Sequence, residues 1–164
     1  MHHPSKDELL NILSGVHDPE IPALDVVEMG IVRNAECSGG AVQVDITPTY
    51  SGCPAMRAIE DDIIAALKNE GFEDVLVNTV YSPAWTTEWL TDSAKLKLKI
   101  NGIAPPGRSA HGVIVILPTI RQSLACPFCE SHDTEVRSEF GSTACKSLHY
   151  CNNCKQPFEH FKEI

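Results

Sequence analysis

"AVQVDITPTYSGCPAMRAIEDDIIAALKNEG", residues 41–71, is the stretch whose reading decides the fold. Its first part alternates, with Val42, Val44 and Ile46 set against Gln43, Asp45 and Thr47, the period of a half-buried strand. Its second part changes period. Met56, Ile59, Ile63, Ala66 and Leu67 form the stripe of an amphipathic helix, Pro54 suits the first turn, and Gly71 suits the position after the last. Between the two stands Cys53, held between a glycine and a proline. A strand that passes into a helix through a thiol-bearing loop is the nucleus of the reading.

Upstream, "IVRNAEC" (31–37) pairs with the alternating run across the turn-rich "SGG" to make a hairpin. Before it, "SKDELLNILSGV" (5–16) reads as a helix, with Ser5 as N-cap and Glu8 as its capping-box partner. The two prolines of "HDPEIPALDVVEMGIV" (17–32) exclude a long regular element there. Downstream, "DVLVNTVYS" (74–82) alternates as a third strand. "DSAKLKLKING" (92–102) fits a strand by its alternation. It fits a helix by its bracket of Asp92 and Gly102 and the spacing of Leu96, Ile100 and Ile103, and we read it as a helix. The expected fold is α+β: a small helix-on-sheet domain over 1–104, a linker over 105–123 holding a short "VIVIL" strand (113–117), and a β-rich zinc ribbon over 124–164.

The ribbon rests on two C-x-x-C pairs, Cys126 with Cys129 and Cys151 with Cys154. Each pair sits on a tight turn, and two such turns present four thiolates tetrahedrally to one ion. "TEVRS", "SLHY" and "FEHF" supply its strands. A module of about forty residues has little core, and a bound metal commonly makes up the difference. Zinc is the expected ion; a rubredoxin-like iron is the rival, since both accept four sulfurs. His149 and His160 read as strand residues and Cys145 as a buried filler.

The formal net charge is −9, with residues 1–121 at −7 and 122–164 at −2. Neither part offers a basic face for phosphate contacts, so nucleic-acid binding is disfavoured. No apolar run reaches the roughly 18 residues of a membrane span, and no basic-then-apolar leader is readable. Five of the seven cysteines fall within residues 126–154. Without an export signal the expected location is cytoplasmic with reduced thiols, which favours metal chemistry over disulfides.

Cys53 keeps two readings. At a helix N-terminus the backbone N–H groups favour thiolate, the nucleophilic and metal-binding form. A cysteine between strand and helix is equally a good small core residue. No phosphate-binding loop, dinucleotide fingerprint, Glu-x-x-His pair or Ser-His-Asp grouping accompanies it, so no catalytic residue is assigned.

Four signatures carry a resemblance across the first module: "HDPEIP", "EMGIV", "TPTYSGCPAM" and "SPAWTTEWLTDSAK". They resemble the iron–sulfur maturation domain shared by SufT-like proteins. That resemblance implies cluster or iron handling at Cys53, with Asp18 and Glu20 as the accompanying acidic motif. "CPFC" followed by "SEFGSTACKSLHYCNNCKQPFEHFK" resembles the PaaD family, the subunits associated with bacterial phenylacetyl-CoA epoxidase. It implies an accessory role in maturing iron–sulfur or iron centres, with transient iron–sulfur cargo beside structural zinc. The implied partners are the oxygenase and reductase subunits or iron–sulfur assembly proteins; a homo-oligomer is left open. The alternative is a non-catalytic structural subunit of the same oxygenase.

Overall fold

The computed structural model describes residues 4–50, 52–107 and 124–164 of the 164-residue chain. It forms two compact units, Met1–Ala94 with Ile164, and Lys95–Glu163. The expected "VIVIL" strand, residues 113–117, lies outside the described residues.

The first unit is an α+β layer. Helix α1 (Lys6–Leu13) opens with a complete capping box: Ser5 Oγ accepts from the Glu8 N–H at 3.2 Å, and Glu8 Oε2 accepts from the Ser5 N–H at 2.7 Å. Leu9 and Leu13 are fully buried. Strands β1 (Val32–Ser38) and β2 (Ala41–Ile46) pair antiparallel. Gly39 and Gly40 join them at φ 62° and 91°, the positive values that a tight turn following the strand twist requires. Helix α2 (Ala55–Asn69) buries Ala55, Ile59, Ile63 and Leu67, while Met56 and Ala66 flank the stripe half-buried. Strand β3 (Val75–Thr79) returns parallel to β2, giving the sheet order β1-β2-β3. Val42, Val44 and Ile46 of the central strand are completely covered.

The irregular stretch before β1 is built from side chains that replace backbone partners. Asp18 Oδ1 accepts from the N–H groups of Glu20 and Ile21, each at 2.8 Å. Asp25 and Glu28 form a second reciprocal box: Asp25 Oδ1 accepts from Val27 and Glu28, and Glu28 Oε1 accepts from the Asp25 N–H. "DVVE" (25–28) carries that box in the sequence. Gly30, at φ 70°, lies against Trp89, so that a Cβ there would meet the Trp89 Cβ at 2.7 Å. Trp85 Nε1 donates to the Met29 carbonyl at 2.9 Å and fixes the same stretch.

Helix α3 (Asp92–Ile100) is a helix, as its bracket suggested, but on a different face. Ala94 and Leu98 are buried, whereas Leu96 and Ile100 are 59% and 74% exposed. Thr91 Oγ1, rather than Asp92, caps it by accepting from the Ala94 N–H. The sequence reading ended the first module at residue 104; the compact units divide at Ala94–Lys95. The reason is β4 (Ile103–Ala104), which pairs parallel with β7 (Pro157–Phe161) and buries both of its residues.

The second unit is a four-stranded sheet of order β4-β7-β6-β5, with β5 at Thr134–Ser138 and β6 at Lys146–Cys151. One apolar cluster gathers Ala104, Cys126, Cys151 and Phe158, with Cys129 and Cys154 against them, and Leu98, Ile103, Cys145 and Phe161 are buried as well. Polar groups are buried beside them. Buried Ser147 contacts His149 Nε2 at 2.9 Å and His160 Nδ1 at 3.5 Å, and buried Lys146 pairs with Glu159 at 3.0 Å. Burial pushes the imidazoles of His149 and His160 below their ordinary range.

Candidate functional site

The four sulfurs of Cys126, Cys129, Cys151 and Cys154 lie within 4.8 Å of one another. Two near-identical turns bring them there. In the first, the Glu130 N–H donates to the Cys126 carbonyl at 2.9 Å and the Cys126 N–H to the Ser131 carbonyl at 2.9 Å. In the second, the Lys155 N–H donates to the Cys151 carbonyl and the Cys151 N–H to the Gln156 carbonyl, both at 3.0 Å. Glu130 and Lys155, each just after its second cysteine, take the left-handed values φ 60° and 62°. They are the only non-glycine residues at positive φ among those described. Two turns carrying the same strain at the same place point to one shared purpose.

That purpose is metal binding. Sγ atoms of Cys126 and Cys154 are 3.7 Å apart, those of Cys129 and Cys151 3.5 Å. A tetrahedron with metal–sulfur bonds of about 2.3 Å has edges of about 3.8 Å, so the set fits an S₄ ion. The protein supplies donors to the sulfurs as well. Backbone N–H groups of Phe128 and Cys129 face Cys126, and that of Ser131 faces Cys129. The Asn153 amide adds a contact of 3.6 Å to Cys129. The Ser131 N–H, followed by Asn153, holds the Cys129 thiol down to about 6. Burial outweighs the donors at Cys126 and pushes Cys154 up to about 12, so it is at Cys129 that they stabilise the thiolate form a metal needs. Cys145 stays apart, buried with its sulfur 3.1 Å from Thr143 Oγ1, and His149 and His160 sit within strands.

In the first unit the residues around Cys53 converge from two loops. Pro54 starts α2 without a capping side chain, and the Ala55 N–H faces the Cys53 sulfur instead. The Thr49 hydroxyl also bonds to that sulfur. Glu20 and Asp18 lie near enough to repel its negative charge. The net effect corrects the expectation of a ready thiolate. Burial first, then Glu20 and Asp18, push the Cys53 thiol up, outweighing the helix N–H and Thr49. The thiol is half-buried.

The chain joins an α+β module, built around a strand–thiol–helix loop, to a four-sulfur β ribbon. Known proteins share both parts. The profile of the "Iron-sulfur cluster assembly protein" family matches residues 6–79, and that of the "PaaD zinc beta ribbon domain" matches 115–162. An Escherichia coli protein, provisionally named as one of the subunits of 1,2-phenylacetyl-CoA epoxidase, is 43% identical over 162 residues, covering 98% of this chain and 94% of its own. The Fe-S protein maturation auxiliary factor YitW of Bacillus subtilis is 30% identical over 61% of this chain and 99% of its own. A crystal structure of domain of unknown function DUF59 from Bacillus anthracis superposes with a TM-score of 0.55 at 28% identity, covering 58% of this chain and 92% of that one. The chain belongs to the PaaD family. No helix among the described residues is long and apolar enough to cross a membrane.

Proposed function

We propose that this chain is an accessory factor of phenylacetyl-CoA ring epoxidation that assists assembly or insertion of iron–sulfur or iron centres in the oxygenase–reductase complex. The observation that carries it is the convergence on Cys53 of a helix N–H, the Thr49 hydroxyl and the acids Asp18 and Glu20. A thiol that holds its proton when empty, beside two carboxylates, suits cargo that is gained and lost. The cation offsets the acids, the proton leaves the sulfur, and the return of the proton favours release. One thiol cannot complete a four-thiolate shell, so iron–sulfur cargo would be shared with a partner's sulfur or a second chain. The ribbon's four cysteines hold zinc as a structural ion, and the unit they close docks the client. The partners are the oxygenase and reductase subunits or iron–sulfur assembly proteins, encountered in the cytoplasm.

The test is metal and sulfide analysis of anaerobically purified protein, wild type beside Cys53→Ser, together with the metal content of the client subunits in cells. The expected result is zinc in both proteins, iron and sulfide in the wild type alone, and under-metallated clients with Cys53→Ser. Fully metallated clients in that strain would overturn the reading.

The burial that pushes the Cys53 thiol up also favours a second reading, a non-catalytic structural subunit of the oxygenase in which Cys53 only packs. Stable co-purification with the oxygenase and full activity of Cys53→Ser would select it.

A further inference from the structure

Each of the two sheets ends in two edge strands, and three of the four edges are blunted. Strand β1 carries a register shift between Val32 and Asn34 and the charges of Arg33 and Glu36. Strand β5 carries a register shift between Val136 and Ser138 and the Glu135–Arg137 ion pair. Strand β4 is only two residues long. Bulges, charges and shortness are the devices by which proteins keep edges from pairing with other chains. Strand β3, "VLVNT", has none of them. It is uncharged, runs in register without interruption, and exposes Leu76 to 55%.

The backbone of β3 shows which groups are free. The Val42 N–H donates to the Asp74 carbonyl at 2.8 Å, and the Val80 N–H to the Ile46 carbonyl at 2.8 Å. In a parallel ladder with these ends, residues 74, 76, 78 and 80 face β2. The N–H and C=O groups of Val75, Val77 and Thr79 therefore point away from the sheet, with no partner among the described residues. Val75 and Val77 share the core face with Val42 and Val44, yet they are half-exposed where those two are fully covered. A further strand beside β3 would finish that face.

We propose that β3 is the self-association edge of this protein, pairing antiparallel with β3 of a second copy about a two-fold axis at Val77. The outward groups suit a two-fold pair. Val77 opposes Val77 and Val75 opposes Thr79, in both directions, so that every outward N–H meets an outward C=O. On the core face only the β-branched, uncharged Val75, Val77 and Thr79 then lie opposite one another, the kind that pack well across strands, while Leu76 lies opposite Asn78 on the other face. Antiparallel pairing also sends Glu73 and Asp74 of the two copies to opposite ends of the joint. This matters because residues 1–94 carry sixteen acids and four bases, a charge of −12, which opposes self-association at long range. The dimer accordingly tightens as salt screens that repulsion. This pairing does not depend on the role given to Cys53.

Sedimentation velocity of the full chain over a range of concentrations and salt tests it. The expected result is a monomer–dimer equilibrium that shifts toward dimer with added salt. Val77→Pro should weaken the dimer at least about tenfold, because it removes an outward N–H and places a ring on the joint. That N–H serves no bond to β2, so the variant should keep the monomer's fold, checked by its circular dichroism. Hydrogen exchange supplies a second readout on the wild type: protection of the Val75, Val77 and Thr79 amides should rise with protein concentration. A protein that stays monomeric, or a dimer unaffected by Val77→Pro, would overturn the proposal. So would amide protection independent of concentration, which would mean the edge is taken within one chain.

Discussion

At the residue scale, Cys53 shows how position and environment oppose each other. A helix N-terminus lowers a thiol's pKa, but burial and the acids Glu20 and Asp18 prevail. Removing Glu20, the more strongly repelling of the two acids, should reverse part of this. Glu20→Gln is expected to speed alkylation of Cys53 by iodoacetamide severalfold at neutral pH, read at that residue by mass spectrometry. Thr49→Val, which removes a hydrogen bond that favours the thiolate, should slow it. The opposite order would show that Cys53 is screened by something else. Gly30 makes a second argument. Its φ of 70° is costly for any other residue, and a Cβ would press into Trp89 at 2.7 Å. Gly30→Ala should cost about 2–4 kcal/mol in urea unfolding, from left-handed strain and overpacking together. A cost within experimental error would mean that Trp89 moves aside freely.

At the element scale, the two cysteine turns are the most constrained parts of the second unit. Lys155 is exposed and sits at φ 62° with a side chain that favours negative φ. Lys155→Gly should stabilise the metal-loaded ribbon by about 1 kcal/mol, and Lys155→Val should destabilise it by as much or more. Thermal unfolding of the unit, followed at β6 and β7 amides, checks the order. Helix α3 teaches a complementary lesson. Its apolar residues fit several faces, and the buried one is set by Ala94 and Leu98, leaving Leu96 and Ile100 exposed. Periodicity announced the helix; it could not say which side would find a neighbour.

At the scale of the whole molecule, the units differ in what holds them together. The first has a continuous core running from Leu9 and Leu13 through Val42, Val44 and Ile46 to Ile59, Ile63 and Leu67. The second packs a small apolar cluster around the metal-site cysteines, buries Leu98, Ile103, Cys145 and Phe161 besides, and adds a buried polar network. Stripping the metal with a chelator should therefore unfold one and spare the other. Hydrogen exchange is expected to lose protection in β5, β6 and β7 while α2, β1 and β2 keep theirs. Loss throughout, or nowhere, would refute this division of stability. The division also redistributes charge. Counted over 1–94 with 164 and over 95–163, the chain carries −12 and +3, a sharper contrast than a cut near residue 121 suggests. The three lysines of α3 from Lys95 onward go with the second unit.

The sequence by itself determined the elements and the metal-binding chemistry, because both are local. Alternation in β2, the stripe of α2, the Ser5–Glu8 box and the two C-x-x-C turns are each set by residues a few positions apart. The family likeness is legible for the same reason: short motifs carry most of it. The tertiary structure decided what depends on distant neighbours. It placed Ile103 and Ala104 beside β7, and with them the end of the first unit. It chose the buried face of α3, and it made Gly30 indispensable by bringing up Trp89 from far along the chain. It pushed the Cys53 thiol up, by burial first and then by setting Glu20 and Asp18 near it, since a carboxylate distant in sequence acts through space and not along the chain.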